Sequence, residues 1–398
     1  MNCGRRVGGG LLAALLAVWL GAGAYVWNRN RVPAPPVQTR TLPAGNVYDQ
    51  YVGLVQRIRE PDQLTALDRS RKTSGNEVSR VLQANAEALS ALKQLAGHPS
   101  AVTELRPGVR FVSALAFPSV TRLTAIAARS QARSKPTEAA QTLNAGLCFA
   151  AGVMRDGATL QLTTGYLSFV PLFEAAPDIL RRFSAEDCRT LMASIEKLDR
   201  QTTPLASIFR TERVSRLEQF SELVKPGAVR IFRLNIPRAD YEWQFLLKPK
   251  RPAYDALDTY LAKWAEEAAK LPLQVTPPAP PTEMEGILAD ESLEPRALAT
   301  HVVRHAYIVA RMRILYAALA AELVHERTGR YPATLKGLAE PAMLSDPFSG
   351  APLIYKGMGG SYRLYSVGPN GKDDGGAPYK ESRMSADGPG DLPLRPTF

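Results

Sequence analysis

The chain has 398 residues, more than one average domain, and 45% of them are hydrophobic, enough to bury a core in one large domain with a smaller appendage. Its net charge is +11, but Arg5, Arg6, Arg29, Arg31 and Arg40 all precede the first acidic residue, so only +6 is spread over the other 354 residues from position 45 onward. That density is too low for a surface that tracks a phosphate backbone, so no nucleic-acid partner is expected.

Val7 to Trp27 is 21 residues without a charge, about the length that crosses a bilayer's hydrocarbon as a helix. Arginines flank it, and Trp19, Tyr25 and Trp27 suit a helix whose C-terminal end lies at a membrane interface. Residues 1–31 are therefore expected to be a single-pass anchor in a bacterial inner membrane, with the large domain extracytoplasmic. The alternative is an exported chain cleaved after Ala24, because Ala22-Gly23-Ala24 fits a signal-peptidase site; Arg5-Arg6 as a twin-arginine signal is a weaker option. Residues 32–44 hold four prolines and read as an extended spacer that lifts the folded part off the membrane.

Residues 45–271 predict a helical domain. Apolar residues recur at helical spacing in Tyr48, Tyr51, Leu54, Val55 and Ile58, and again in Val78, Leu82, Ala86, Leu89 and Leu92. Breaks at Pro61, Gly75, Pro99, Pro107, Pro136, Gly157, Pro177, Pro204, Pro226 and Pro252 cut the region into helix-length pieces. Ser184 with Asp187 three residues on is a capping-box start. Leu123, Ile126, Ala127, Ala139, Leu143 and Gly146 stand where one tetratricopeptide-like hairpin places its packing residues, but no second copy follows, so a generic helical hairpin is expected. Arg129 to Lys135 and Arg210 to Arg216 read as solvated faces, and Tyr241, Trp243 and Phe245 as core aromatics in preference to a peptide-binding strip. Cys3, Cys148 and Cys188 match neither paired metal-ligand spacing nor a disulfide framework; Cys148 and Cys188 read as buried thiols, with a disulfide between them as the alternative.

Residues 272–294 form a linker that opens with five prolines in ten residues. A long helix is then expected over residues 295–328, with Leu298, Val302, His305, Val309, Met312, Tyr316, Leu319 and Leu323 as its packing seam. His301 and His305 have the four-residue spacing of paired zinc ligands, but the intervening Val-Val-Arg lacks the glutamate a metallohydrolase uses as base. Packed histidines are the expectation. A metal-dependent hydrolase using His301 and His305 is the alternative function.

Gly329 suits a helix C-terminus and Tyr331-Pro332 keeps the helix from resuming. The module over residues 329–398 is expected to hold a short helix over 333–338, strands at 353–355 and 362–367 joined by a glycine-rich turn, and a loop from Gly368 to Gly376. Gly329-Arg330-Tyr331-Pro332, Thr334-Leu335-x-Gly337-Leu338, Asp346-Pro347-Phe348, Pro352-x-x-Tyr355 and Leu364-Tyr365-Ser366-x-Gly368-x-x-Gly371-Lys372 follow an amphipathic helix. In this order, over about residues 311–376, they resemble the C-terminal part of the major pseudopilin of type II secretion systems. The resemblance implies a small α+β module whose final loop holds calcium, with Asp373 and Asp374, and Asn370 nearby, as the candidate ligands. The chain has no prepilin-peptidase site, and more than 200 residues separate its anchor from the pseudopilin-like helix, so it is not expected to be a pilus subunit itself. The family's closing Asp-Ile element has no direct counterpart; Asp387 and Asp391-Leu392 follow after an insertion.

The expected fold is thus mainly α: a transmembrane helix, a multi-helix ectodomain of hairpins, and the C-terminal α+β module. No Gly-x-Ser-x-Gly elbow, Walker A loop or Cys-His constellation occurs. The expected function is non-enzymatic: a membrane-anchored envelope protein with a structural or protein-interaction role, linked to type II secretion or pilus-like systems. Its expected partners are the membrane and envelope or secretion-system proteins, and calcium is its only candidate cofactor.

Overall fold

A computed structural model describes residues 4–37, 40–72, 74–105, 111–224, 248–284, 291–379 and 388–394, with only the backbone course given for 4–15 and 111–115. The helices are α1 (Gly4–Asn30), α2 (Tyr48–Arg57), α3 (Pro61–Ser70), α4 (Asn76–Ala84), α5 (Ala86–Leu95), α6 (Phe111–Gln131), α7 (Pro136–Gly152), α8 (Thr159–Ile179), α9 (Ala185–Arg200), α10 (Leu205–Leu223), α11 (Lys250–Glu267) and α12 (Pro295–Thr328). Strands β1 (Ile354–Gly357), β2 (Tyr362–Ser366) and β3 (Leu392–Pro393) form one antiparallel sheet in the order β1-β2-β3. The protein is mainly helical, with this small sheet near its C-terminal end.

Local chemistry sets several boundaries. Pro61, Pro136 and Pro295 begin α3, α7 and α12, where a missing N–H costs nothing. Ser184 caps α9 as expected: its Oγ accepts the Asp187 N–H at 3.1 Å while Asp187 Oδ2 accepts the Ser184 N–H at 3.1 Å. Gly329 ends α12 in the left-handed conformation at φ 70°.

α12 is the element the rest is packed around. Nearly every residue from Ala306 to Glu322 is buried, on all sides of the helix, so the single expected seam underestimates its contacts. α8, α9 and the C-terminal module all pack against it. One continuous apolar core accordingly runs from Ala128 in α6 to Leu392 in β3. α6, α7 and α8 pack so closely that a Cβ on Gly146 would stand 2.8 Å from both Leu172 and Thr124. α10 and α11 pair through the stacked rings of Phe209 and Trp264, 5.4 Å between centroids. α2 to α5 build two smaller cores against α6 and α7. Cys148 and Cys188 are both buried and free.

Several expectations change. The stretch over 32–44 does not stand off as a spacer: Val32 packs against the main core, Arg40 donates to the Asp156 carbonyl, and Asn46 just beyond donates to the Ala101 carbonyl. Arg129 is not on a solvated face; it is buried, 2.8 Å from Asp68 and 3.3 Å from Asp178. Residues 333–338 form a turn in place of a helix, because Gly337 adopts φ 77° and Thr334 Oγ1 accepts the Lys336 N–H. The expected hairpin gains a third strand, as Leu392 and Pro393 pair with Ser366 and Tyr365. Tyr241, Trp243 and Phe245 lie outside the described residues. Of the transmembrane helix expected within residues 1–31 the structure gives the helix, α1, but not the span: among the described residues no helix is long and apolar enough to cross a membrane.

Candidate functional site

The C-terminal loop is a corner built by carboxylates. β2 ends at Ser366, and Gly368 and Gly371 then turn the chain with φ 67° each. Asp373 Oδ1 accepts the Tyr365 hydroxyl and the Gly375 N–H, both at 2.9 Å, and these donors hold its carboxyl below the ordinary range. Asp374 Oδ2 accepts Asn370 Nδ2–H at 2.9 Å and the Gly390 N–H at 2.8 Å. Asn370 Oδ1 accepts the Lys372 N–H at 3.0 Å. The three residues singled out from the sequence are therefore joined, but Asp373 turns toward β2 while Asp374 turns toward the returning chain.

That returning chain supplies the residue sequence reasoning did not assign. Asp391 is fully buried, and its two oxygens accept the Asp374 N–H at 3.3 Å and the Gly376 N–H at 2.6 Å. Burial pushes its carboxyl above the ordinary range in spite of those donors. So Asp391-Leu392 closes the loop beyond the insertion; Asp387 lies outside the described residues. A second buried carboxylate, Asp346, braces the other side of β2: it accepts the Phe348 and Val367 N–H groups at 2.9 Å and the Ser366 hydroxyl at 3.0 Å.

Calcium takes six to eight oxygens converging on one point. Here the carboxylate oxygens face protein N–H and O–H donors, and among the described residues no group of three or more His, Cys, Asp or Glu side chains is placed to hold a metal ion. The calcium expectation rests on the resemblance.

His301 and His305 serve different neighbours. His305 donates Nε2–H to the Thr203 carbonyl at 3.0 Å, a bond that fixes its ring. His301 lies beside Arg304, Glu212 and Arg216. Burial first, and Arg304 second, lower its pKa to about 4, so it is neutral at pH 7. Glu212 is buried at the start of α8, where Oε2 accepts the Thr159 N–H at 3.1 Å and the Thr159 hydroxyl at 2.7 Å, and it pairs with Arg216 at 2.5 Å. The sequence placed neither Glu212 nor Arg304 in a site; their importance comes from helices that meet only in the fold.

No family model matches this chain, and no curated protein or solved structure matches it either.

Proposed function

We propose that the protein is a membrane-anchored component of a bacterial cell envelope, with a non-enzymatic structural or protein-interaction role linked to type II secretion or pilus-like systems. The observation that carries the anchor is the apolar run on α1: Trp19 is 82% exposed and Trp27 71%, with Leu16, Val18, Leu20, Tyr25 and Val26 also open to the surroundings. A contiguous patch of that kind marks an interaction with lipid or another protein. Arg29 and Arg31 follow it, and Arg29 donates to the Tyr25 hydroxyl, a pairing suited to a headgroup layer. The order of motifs around β1 and β2 supports the link to secretion.

The test is fractionation of the full chain expressed in a bacterium, with protease added to spheroplasts. The anchor reading expects the intact chain in the inner membrane, resistant to carbonate extraction, and an ectodomain digested from outside. A soluble product shortened to begin after Ala24 would reject the anchor in favour of export and cleavage. Crosslinking before affinity capture should recover envelope or secretion-apparatus proteins; recovering none would count against the interaction role.

A further inference from the structure

Arg304 on α12 has one engaged edge and one edge whose Nε has no partner. Its Nη1 donates to Thr163 Oγ1 at 2.8 Å, and its guanidinium lies over the Tyr166 ring, 5.8 Å from the centroid. Its Nε is buried and has no acceptor. With Nη1 engaged on α8, what remains is the Nε and Nη2 side of the fork, which grips an oxyanion side-on through two parallel N–H bonds.

One turn earlier, on the same face of α12, His301 is 9% exposed and its Nδ1 is buried with no partner. An orphaned polar atom at that depth is costly and calls for an explanation. The nearby carboxylate does not supply one. Glu212 spends its oxygens on Thr159 and Arg216, so the Glu212–Arg216 pair balances itself and leaves the charge of Arg304 uncompensated among these residues. Two unmade hydrogen bonds, one uncompensated cation and a hydroxyl that fixes the guanidinium therefore stand together between α8 and α12.

We propose that Arg304, with His301 and held in place by Thr163, binds a small oxyanion, a carboxylate or a phosphate. The anion would take the Nε and Nη2 hydrogens of Arg304 and a hydrogen on His301 Nδ1. A neutral imidazole carries one N–H, and the anion selects the tautomer that places it on Nδ1.

The test titrates the purified full chain with sodium phosphate and, separately, sodium acetate, with chloride holding ionic strength constant. Calorimetry reads binding, and nitrogen-15 NMR of the histidine rings reads Nδ1 of His301. One anion is expected to saturate with a Kd of about 1 mM or tighter and to move that resonance. Saturation by phosphate alone identifies a phosphate site, and saturation by acetate alone a carboxylate site. Arg304→Lys keeps the charge but loses the fork, and is expected to weaken binding about ten-fold. Thr163→Val, which frees the guanidinium without touching its charge, is the second variant and should weaken binding too. A linear, unsaturating response to both anions overturns the proposal, as does saturation unchanged in whichever of the two variants folds.

Discussion

Arg313 lays its guanidinium fork across Asp199, Nε to Oδ1 and Nη2 to Oδ2, both at 3.1 Å. The two side chains are only 18% and 12% exposed, and Nη1 of the same arginine donates to the Ser345 carbonyl at 3.0 Å. One residue of α12 thus ties α9 to the C-terminal module. Removing one partner leaves the other charge largely desolvated, so Asp199→Ala is expected to cost about 3 kcal/mol in urea unfolding. The double variant Asp199→Ala with Arg313→Ala should recover part of that loss. Additive costs in the double-mutant cycle would show that the pair is not coupled.

His301 predicts a pH dependence. Its folded pKa of about 4 lies below the ordinary histidine value, so between the two the unfolded chain binds the extra proton and stability falls as the pH drops. The full effect, reached below pH 4, is about 3 kcal/mol, and none of it operates at pH 7. Arg304, Arg216 and Glu212 all border the ring, so the comparison needs His301→Gln, which should flatten the stability profile between pH 6.5 and 4. An unchanged profile would assign that acid sensitivity to other groups.

Gly390 is required twice over. It sits at φ 113°, and a Cβ there would stand 2.7 Å from the backbone of Tyr379 and 2.8 Å from the Pro378 carbonyl. Gly390→Ala is therefore expected to cost about 3 kcal/mol, with loss of the β2–β3 pairing in hydrogen exchange. Gly359, at φ 73° in the hairpin turn with open space around it, is the contrast, and Gly359→Ala should cost about 1 kcal/mol.

Calcium at a few millimolar is expected to move the melting temperature by no more than about 1 °C, because Asp374 and Asp391 already accept backbone N–H groups. A rise of several degrees that disappears in Asp374→Ala would establish an ion in the loop.

What was legible in the chain followed from residues that act locally. Pro295 and Gly329 bracket α12 because one fits a first helical turn and the other a left-handed cap, and neither needs a neighbour to do so. β1 and β2 were visible because Gly357 to Gly360 set apart two short apolar runs. β3 was not, since two residues carry no period and their partner strand ends 26 positions earlier. The wide burial of α12 escaped periodicity for a related reason. Arg311 falls outside the expected seam, yet it is buried because it reaches the carbonyls of Pro393 and Phe173; Glu322 is buried under the Tyr331 hydroxyl at 3.1 Å. The candidate sites divide the same way: Asp373 and Asp374 adjoin in sequence, whereas Asp391 and Arg304 acquire their partners only through packing.

The segment between α1 and α2 leaves the protein no leash. Val32 packs against the core, Arg40 is fastened to Asp156 and Asn46 to Ala101, so little loose chain separates α1 from the body. Arg40 thus joins the lead from α1 to the turn at Asp156, three residues before α8 begins. The chain leaving α1 is stitched to the body at two points before α2 begins.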